Sequence, residues 1–136
     1  MDELEPANED VAYRCGRLLA VIEEVQRTAL GDVNSTVVDR FYGTASTAPI
    51  SVFSRLIRGA QPHLAKLRRD RRGAYRALDA RLQEVLKPVQ SFPSVLDLEQ
   101  QGLFALGYYH QRADDRRGAR EHAAARLAST APPTDT

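Results

Sequence analysis

Residues 11–30, VAYRCGRLLAVIEEVQRTAL, decide the fold class. Val11, Cys15, Leu18, Ile22, Val25 and Ala29 recur there at spacings of three and four, which makes one apolar face of an amphipathic helix. Asn8 or Asp10 is placed to cap the first turn, and Gly31 to end the last. The opposite side carries Arg14, Arg17, Glu24 and Arg27 and reads as solvated.

Outward from this helix the same period returns. Gly31 to Thr36 is turn chemistry, rich in side chains that bond their own backbone. Val37, Val38, Phe41 and Tyr42 fit a short second helix ending at Gly43, with Thr44 to Thr47 as a polar link. Ser46 or Thr47 is expected to cap a third helix with Pro49 in its first turn, where a missing N–H costs nothing. Phe53, Ile57, Ala60, Leu64 and Leu67 form its apolar stripe, and Pro62 should kink it or break it after Gly59. A turn near Asp70 to Gly73 leads to a fourth stripe, Tyr75, Leu78, Leu82, Val85 and Val89. Phe92, Pro93 and Ser94 break the pattern, and Asp97 with Gln100 reads as the capping box of a fifth helix. That helix runs through Leu98, Leu103, Leu106 and Tyr109 and continues to about Leu127 on charged, weakly periodic sequence. No stretch alternates as a strand would. The expectation is an all-α, compact bundle of about five helices over residues 10–128, with an acidic lead at 1–9 and a disordered tail at 129–136.

A chain of 136 residues, 43% hydrophobic, is one domain able to bury a core without metal or disulfide staples. The lone Cys15 excludes an internal disulfide, and no apolar run approaches the length of a membrane span. The first ten residues hold five acids and no base, unlike a signal or transit peptide, so a cytoplasmic protein is expected.

The net charge of +1 hides an uneven distribution. Residues 55–87 hold ten bases against Asp70, Asp79 and Glu84, and seventeen of the chain's 19 bases are Arg. On the third helix Arg55, Arg58, Lys66 and Arg69 share one face, turned away from the apolar stripe. Arg68, Arg71, Arg72 and Arg76 continue it round the next turn. A solvated helix face ordinarily interleaves both signs, and here Asp70 is the only local acid. Such a stripe can track a phosphate backbone or dock on an acidic protein surface. No aromatic stacking motif interleaves with it, which points to backbone contact rather than base readout. A helix-turn-helix reading is disfavoured because the face lacks Asn, Gln and Ser for base edges. The Gly31–Thr36 and Gly43–Thr47 turns, with Arg40 between them, form a weaker phosphate-binding candidate.

Catalysis finds no support. His63, His110 and His122 lack metal-ligand spacing, and Cys15 sits in an apolar stripe as a small core residue. Glu23 and Glu24, like Asp114 and Asp115, are helix neighbours that point in different directions. No cofactor or metal is expected, and no enzyme activity. Gly16, Gly102 and Gly107 lie inside helices, where glycine is best explained by close helix crossing.

Three strings carry a resemblance: YRCGRLLA at 13–20, GDVNSTVVDRFYGTASTAP at 31–49, and FALGYYHQR at 104–112. In this order they resemble the C-terminal portion of the large subunit of type I-C CRISPR effector complexes (Cascade), over residues 11–113. The chain is far shorter than that subunit and begins with Met1 in an acidic lead. The resemblance therefore implies the separate small subunit, made by internal translation initiation within the large-subunit gene; an excised domain is the alternative. It implies a non-catalytic helical bundle, present in more than one copy and packed along the complex backbone beside the large subunit. Such a subunit stabilises the R-loop formed by guide RNA and target DNA and lines the path of the displaced non-target strand, while cleavage falls to a separately recruited nuclease-helicase. Pairing then supplies sequence specificity and protein supplies backbone affinity. The candidate contacts are Arg55, Arg58, Lys66, Arg68, Arg69, Arg71, Arg72 and Arg76 by charge geometry. Arg17 and Arg40 join them because they lie in the resembling strings, unless they pair internally with Glu24 or Asp39. The competing functions are a pure assembly module and a stand-alone helical DNA-binding regulator.

Overall fold

Helix α1 (Val11–Leu30) is the axis of the molecule: it packs against all four other helices. A computed structural model describes residues 3–31 and 36–130 as five α-helices, with no strand among them. Asp10 caps α1 by accepting from the Tyr13 N–H at 3.0 Å, and Gly31, at φ 77°, ends it. The expected stripe is buried from Cys15 to Ala29, with Val11 half-buried; of the side that reads as solvated, Arg14 and Arg17 are buried and Glu24 and Arg27 half-buried. Every residue from Ala12 to Glu23 is buried, including Arg14 and Arg17. A one-sided reading of α1 is therefore corrected: neighbours enclose it, and its two central arginines lie in the interior.

Helix α5 (Leu98–Thr130) lies against α1, and two glycines make the crossing possible. A β-carbon on Gly16 would overlap the Phe104 carbonyl oxygen and lie 2.8 Å from the Tyr108 nitrogen. One on Gly107 would overlap the Tyr13 carbonyl oxygen. Close crossing thus accounts for both, but not for Gly102, whose β-carbon would meet nothing within 4 Å. Across the seam the Tyr13 hydroxyl and His110 Nδ1 are hydrogen-bonded at 2.9 Å, and the buried Tyr108 hydroxyl donates to Glu23 at 2.9 Å.

Helix α2 (Val37–Thr47) is longer than expected. Thr36 and Asp39 form a capping box at its start, and the helix passes through Gly43. Ser46 and Thr47 do not open the next helix. Their hydroxyls donate back to the Gly43 carbonyl at 3.0 and 2.8 Å and close this one. A short 3₁₀ turn, Pro49–Ser51, then leads into α3 (Phe53–Asp70). Of the kink or break expected at Pro62, the break does not occur: α3 runs through it. Pro62 and Arg58 are both exposed, so the Arg58 carbonyl that loses its helical donor lies on the water side. Leu56, with Ile57 only half-buried, takes the inward position between Phe53 and Ala60.

Arg71 alone separates α3 from α4 (Arg72–Leu86). The connection to α5 is tied to the 3₁₀ turn by Ile50 N–H to the Pro93 carbonyl at 3.0 Å, and to the end of α2 by Leu96 N–H to the Thr47 carbonyl at 2.8 Å. Phe92 stacks on Phe53 with ring centres 5.1 Å apart. The Asp97–Gln100 capping box forms as expected, at 2.8 and 2.9 Å. Helix α5 reaches Thr130, so Ser129 and Thr130 are helical rather than part of a tail; residues 131–136 of that proposed tail lie outside the described residues.

Candidate nucleic-acid interface

Burial of Phe53, Leu56, Ala60, Leu64 and Leu67 against α1 and α4 turns the other side of α3 outward. Arg55, Arg58, Lys66, Arg68 and Arg69 are exposed there, and Arg71, Arg72 and Arg76 are exposed on the break and the first turns of α4. From Arg55 to Arg69 the row extends about 21 Å at the helical rise. Among the described residues no carboxylate lies within 4.0 Å of any of these eight cations. Asp70 stands inside the cluster and forms no ion pair among the described residues. Three of the guanidinium groups have local contacts of another kind. Arg55 lies over the Phe41 ring at 5.7 Å and Arg68 over the Tyr75 ring at 6.0 Å. Arg71 reaches the Thr28 carbonyl at 3.5 Å. Ring contacts of this sort orient a guanidinium without neutralising it.

Arg40 is exposed on α2, next in sequence to the ring that Arg55 covers, and no ion pair to Asp39 forms. The companion idea of phosphate-binding turns fares differently. Residues 32–35 lie outside the described residues, and Gly43 to Thr47 are helical with the Ser46 and Thr47 hydroxyls bonded to the Gly43 carbonyl.

Arg17 leaves the set of surface contacts. It is 0% exposed, and its partner is neither solvent nor Glu24. Its Nη1 and Nη2 donate to the two oxygens of Glu84 at 3.0 and 2.6 Å, and its Nε donates to Gln111 at 2.8 Å. Arg14 completes the clamp. It donates to Glu84, to the Glu84 and Val85 carbonyls, and to Asn8 and Pro6 of the acidic lead. Burial pushes the Glu84 carboxyl up, but hydrogen bonds and charge from Arg17 and Arg14 outweigh it and hold the group below its usual range. A buried fork on one carboxylate positions α4 and the lead segment on α1; it has no face to offer a polyanion.

Of the remaining Cys and His candidates, Cys15 and His110 are interior. Burial pushes the Cys15 thiol up to about 12, so it stays protonated and packs as a small apolar side chain. His110 is buried in the seam, and His63 is half-buried beside Phe41 and Leu56. Among the described residues no group of three or more His, Cys, Asp or Glu is arranged to hold a metal ion, and no helix is long and apolar enough to cross a membrane.

Sequence reasoning passed over a second basic surface. Arg112, Arg116 and Arg120 stand at four-residue intervals on α5 beside Tyr109 and face Arg27 across a groove of about 630 Å³. The interval itself was the available signal, hidden by the dense charge of both signs around it.

A family model described as CRISPR-associated protein (Cas_Csd1) matches residues 2–115. No curated protein matches the chain.

Proposed function

This chain belongs to the CRISPR-associated Csd1 family of type I-C systems, and on that premise we propose that it is a non-catalytic small subunit of the Cascade surveillance complex. It packs along the complex backbone beside the large subunit, in more than one copy, and works in the cytoplasm. Its task is to hold the R-loop open by binding the displaced non-target strand, with the guide RNA–target hybrid alongside. Guide pairing supplies sequence specificity, and this subunit supplies affinity for a backbone.

The observation that carries the reading is the α3–α4 stripe: eight exposed cations with no carboxylate partner within 4.0 Å among the described residues. Neutralising phosphates releases their condensed counterions, which makes such binding strong at low salt and steeply weaker as salt rises. Charge reversal of Arg68, Arg69, Arg71 and Arg72 in the assembled complex tests it. The complex should assemble and lose most of its non-target-strand affinity together with much of the salt dependence, read by strand protection at several salt concentrations. Failure of assembly with DNA affinity intact in whatever complex forms would assign the stripe to an acidic protein surface. Sequence-specific binding by the chain alone would make it a regulator.

A further inference from the structure

The groove between the C-terminal half of α1 and the middle of α5 is built differently from the stripe. Its α5 wall is a row: Tyr109, Arg112, Arg116 and Arg120 fall on one side of the helix and extend about 16 Å along it. Arg27 of α1 faces them, and Glu24 is the one carboxylate lining the groove among the described residues. Arg27 lies 3.8 Å from Glu23 and 4.0 Å from Glu24. Among the described residues Arg112, Arg116 and Arg120 have no carboxylate within 4.0 Å, and the buried Arg112 Nε has no hydrogen-bond partner. The cavity therefore keeps a surplus of positive charge against its own walls.

Tyr109 gives this surplus a direction. It is 58% exposed at the end of the row, while the adjacent Tyr108 is buried, fixed by Glu23, and set edge to face against it at 5.0 Å. A braced aromatic ring open to solvent beside a row of guanidinium groups is the combination that takes an unpaired base on the ring and its phosphates on the arginines. A duplex keeps its base faces inside the stack, so the ring has nothing to stack on there.

The groove also joins the stripe. Arg71, a stripe residue, lines a neighbouring cavity between α4 and α5, and Glu24, Arg27 and Ala119 line both cavities. A strand following the stripe is led past Arg71 into the second groove.

We propose that the α1–α5 groove is a binding site for single-stranded nucleic acid, in which Tyr109 stacks on a base and Arg112, Arg116 and Arg120 take the phosphates beside it. This rests on the reading of the chain as a nucleic-acid-binding subunit and adds a place where a base, not only the backbone, is held.

Fluorescence anisotropy of the full chain with oligo-dT, oligo-rU and a duplex of equal length tests it, using Tyr109→Ala, Tyr109→Phe, the pair Arg116→Gln with Arg120→Gln, and the four-arginine stripe reversal. Tyr109 and both arginines are exposed, so each variant should melt as the unaltered chain does, which is the control for an intact fold. Tyr109→Ala should weaken single-strand binding about tenfold, as loss of one stacked base does, with duplex binding unchanged and Tyr109→Phe within twofold of the original. The arginine pair should lower the logarithmic salt slope by about 1.4. A preference for oligo-dT assigns the strand to DNA, and one for oligo-rU assigns it to guide RNA. If the stripe reversal abolishes binding and Tyr109→Ala does not change it, the groove is no site and the stripe reading stands alone. Tyr109→Ala acting equally on duplex overturns the stacking. If the unaltered chain binds none of the three oligonucleotides, both readings fall. If the groove variants keep oligonucleotide affinity but lose the rest of the complex, the groove is a protein interface.

Discussion

Two groups of arginine in this chain have the same chemistry and opposite fates. Arg14 and Arg17 on α1 are interior, share the carboxylate of Glu84, and tie α4 and the lead segment to the axis of the bundle. The arginines of α3 and of the start of α4 are exposed and have no acid within ion-pair reach among the described residues. The difference shows that an arginine's count or neighbours in sequence do not decide whether it is available to a partner. What decides is whether a carboxylate arrives from another helix. Glu84 lies 67 residues from Arg17 and meets it only after α4 has docked.

The clamp is the larger lever. Glu84→Gln keeps the shape but leaves two interior guanidinium groups facing a neutral amide. Removing one partner of a buried pair typically costs about 3–5 kcal/mol, and the low end is expected here because the Glu84 side chain is 44% exposed. Arg17→Met should cost less, about 1–2 kcal/mol, since Glu84 can turn to water and the main loss is the Gln111 hydrogen bond. Urea unfolding checks both, as a fall in midpoint at constant slope. If Arg17→Met were the costlier change, the clamp would be packing rather than charge compensation.

Much of the fold was legible because helical period and caps are local. The α1 stripe, the Asp97–Gln100 box and the glycine crossings at Gly16 and Gly107 could all be read from spacing and residue type. The errors share a cause: each needed a neighbour that the sequence does not place. Helix α1 looks two-sided until α5 covers its far side. Ser46 and Thr47 are good N-caps, but a hydroxyl can equally donate to its own preceding turn, and the Gly43 carbonyl was the partner available. Pro62 was tolerated because its cost fell on the water side. The stripe was visible as charge without interleaved acid. The groove at Tyr109 was not, because it requires α1 and α5 side by side, and its arginines are diluted in sequence by Asp114, Asp115 and Glu121.

A third arginine, Arg81, lies between the two extremes and gives a smaller, pH-dependent test. It pairs with Asp115, which is 4% exposed, also accepts from Gln111 at 2.9 Å, and keeps its second oxygen without a partner. Burial raises the Asp115 carboxyl from 3.8 to about 6, despite the Arg81 charge. A carboxyl raised on folding binds more protons in the folded chain, so its contribution to stability is greatest below about 4 and is lost as pH rises through about 6. Glu84 behaves in the opposite sense: its depressed carboxyl stabilises above the ordinary range and loses that contribution on acidification. Asp115→Asn should therefore flatten the stability profile between pH 4 and 7 relative to the unaltered chain, by on the order of 2 kcal/mol, measured by urea unfolding across that range. A profile unchanged by Asp115→Asn would mean that Arg81 keeps the carboxylate charged throughout.

The smallest effect on stability belongs to the stripe, and its smallness carries the contrast. Replacing Arg68, Arg69, Arg71 and Arg72 together with Gln removes four charges that have no carboxylate within 4.0 Å among the described residues. Exposed substitutions of this kind stay within about 0.5 kcal/mol each, and here relief of mutual repulsion offsets the lost cation–ring contact of Arg68 and the long Arg71 contact to the Thr28 carbonyl. The midpoint of urea unfolding should hardly move, or should rise as salt is lowered and the repulsion in the unaltered chain grows. A substantial fall would show that the stripe arginines support the fold as Arg14 and Arg17 do. Eight uncompensated cations then could not be explained as a surface held ready for a polyanion, because their positions would already be accounted for by stability.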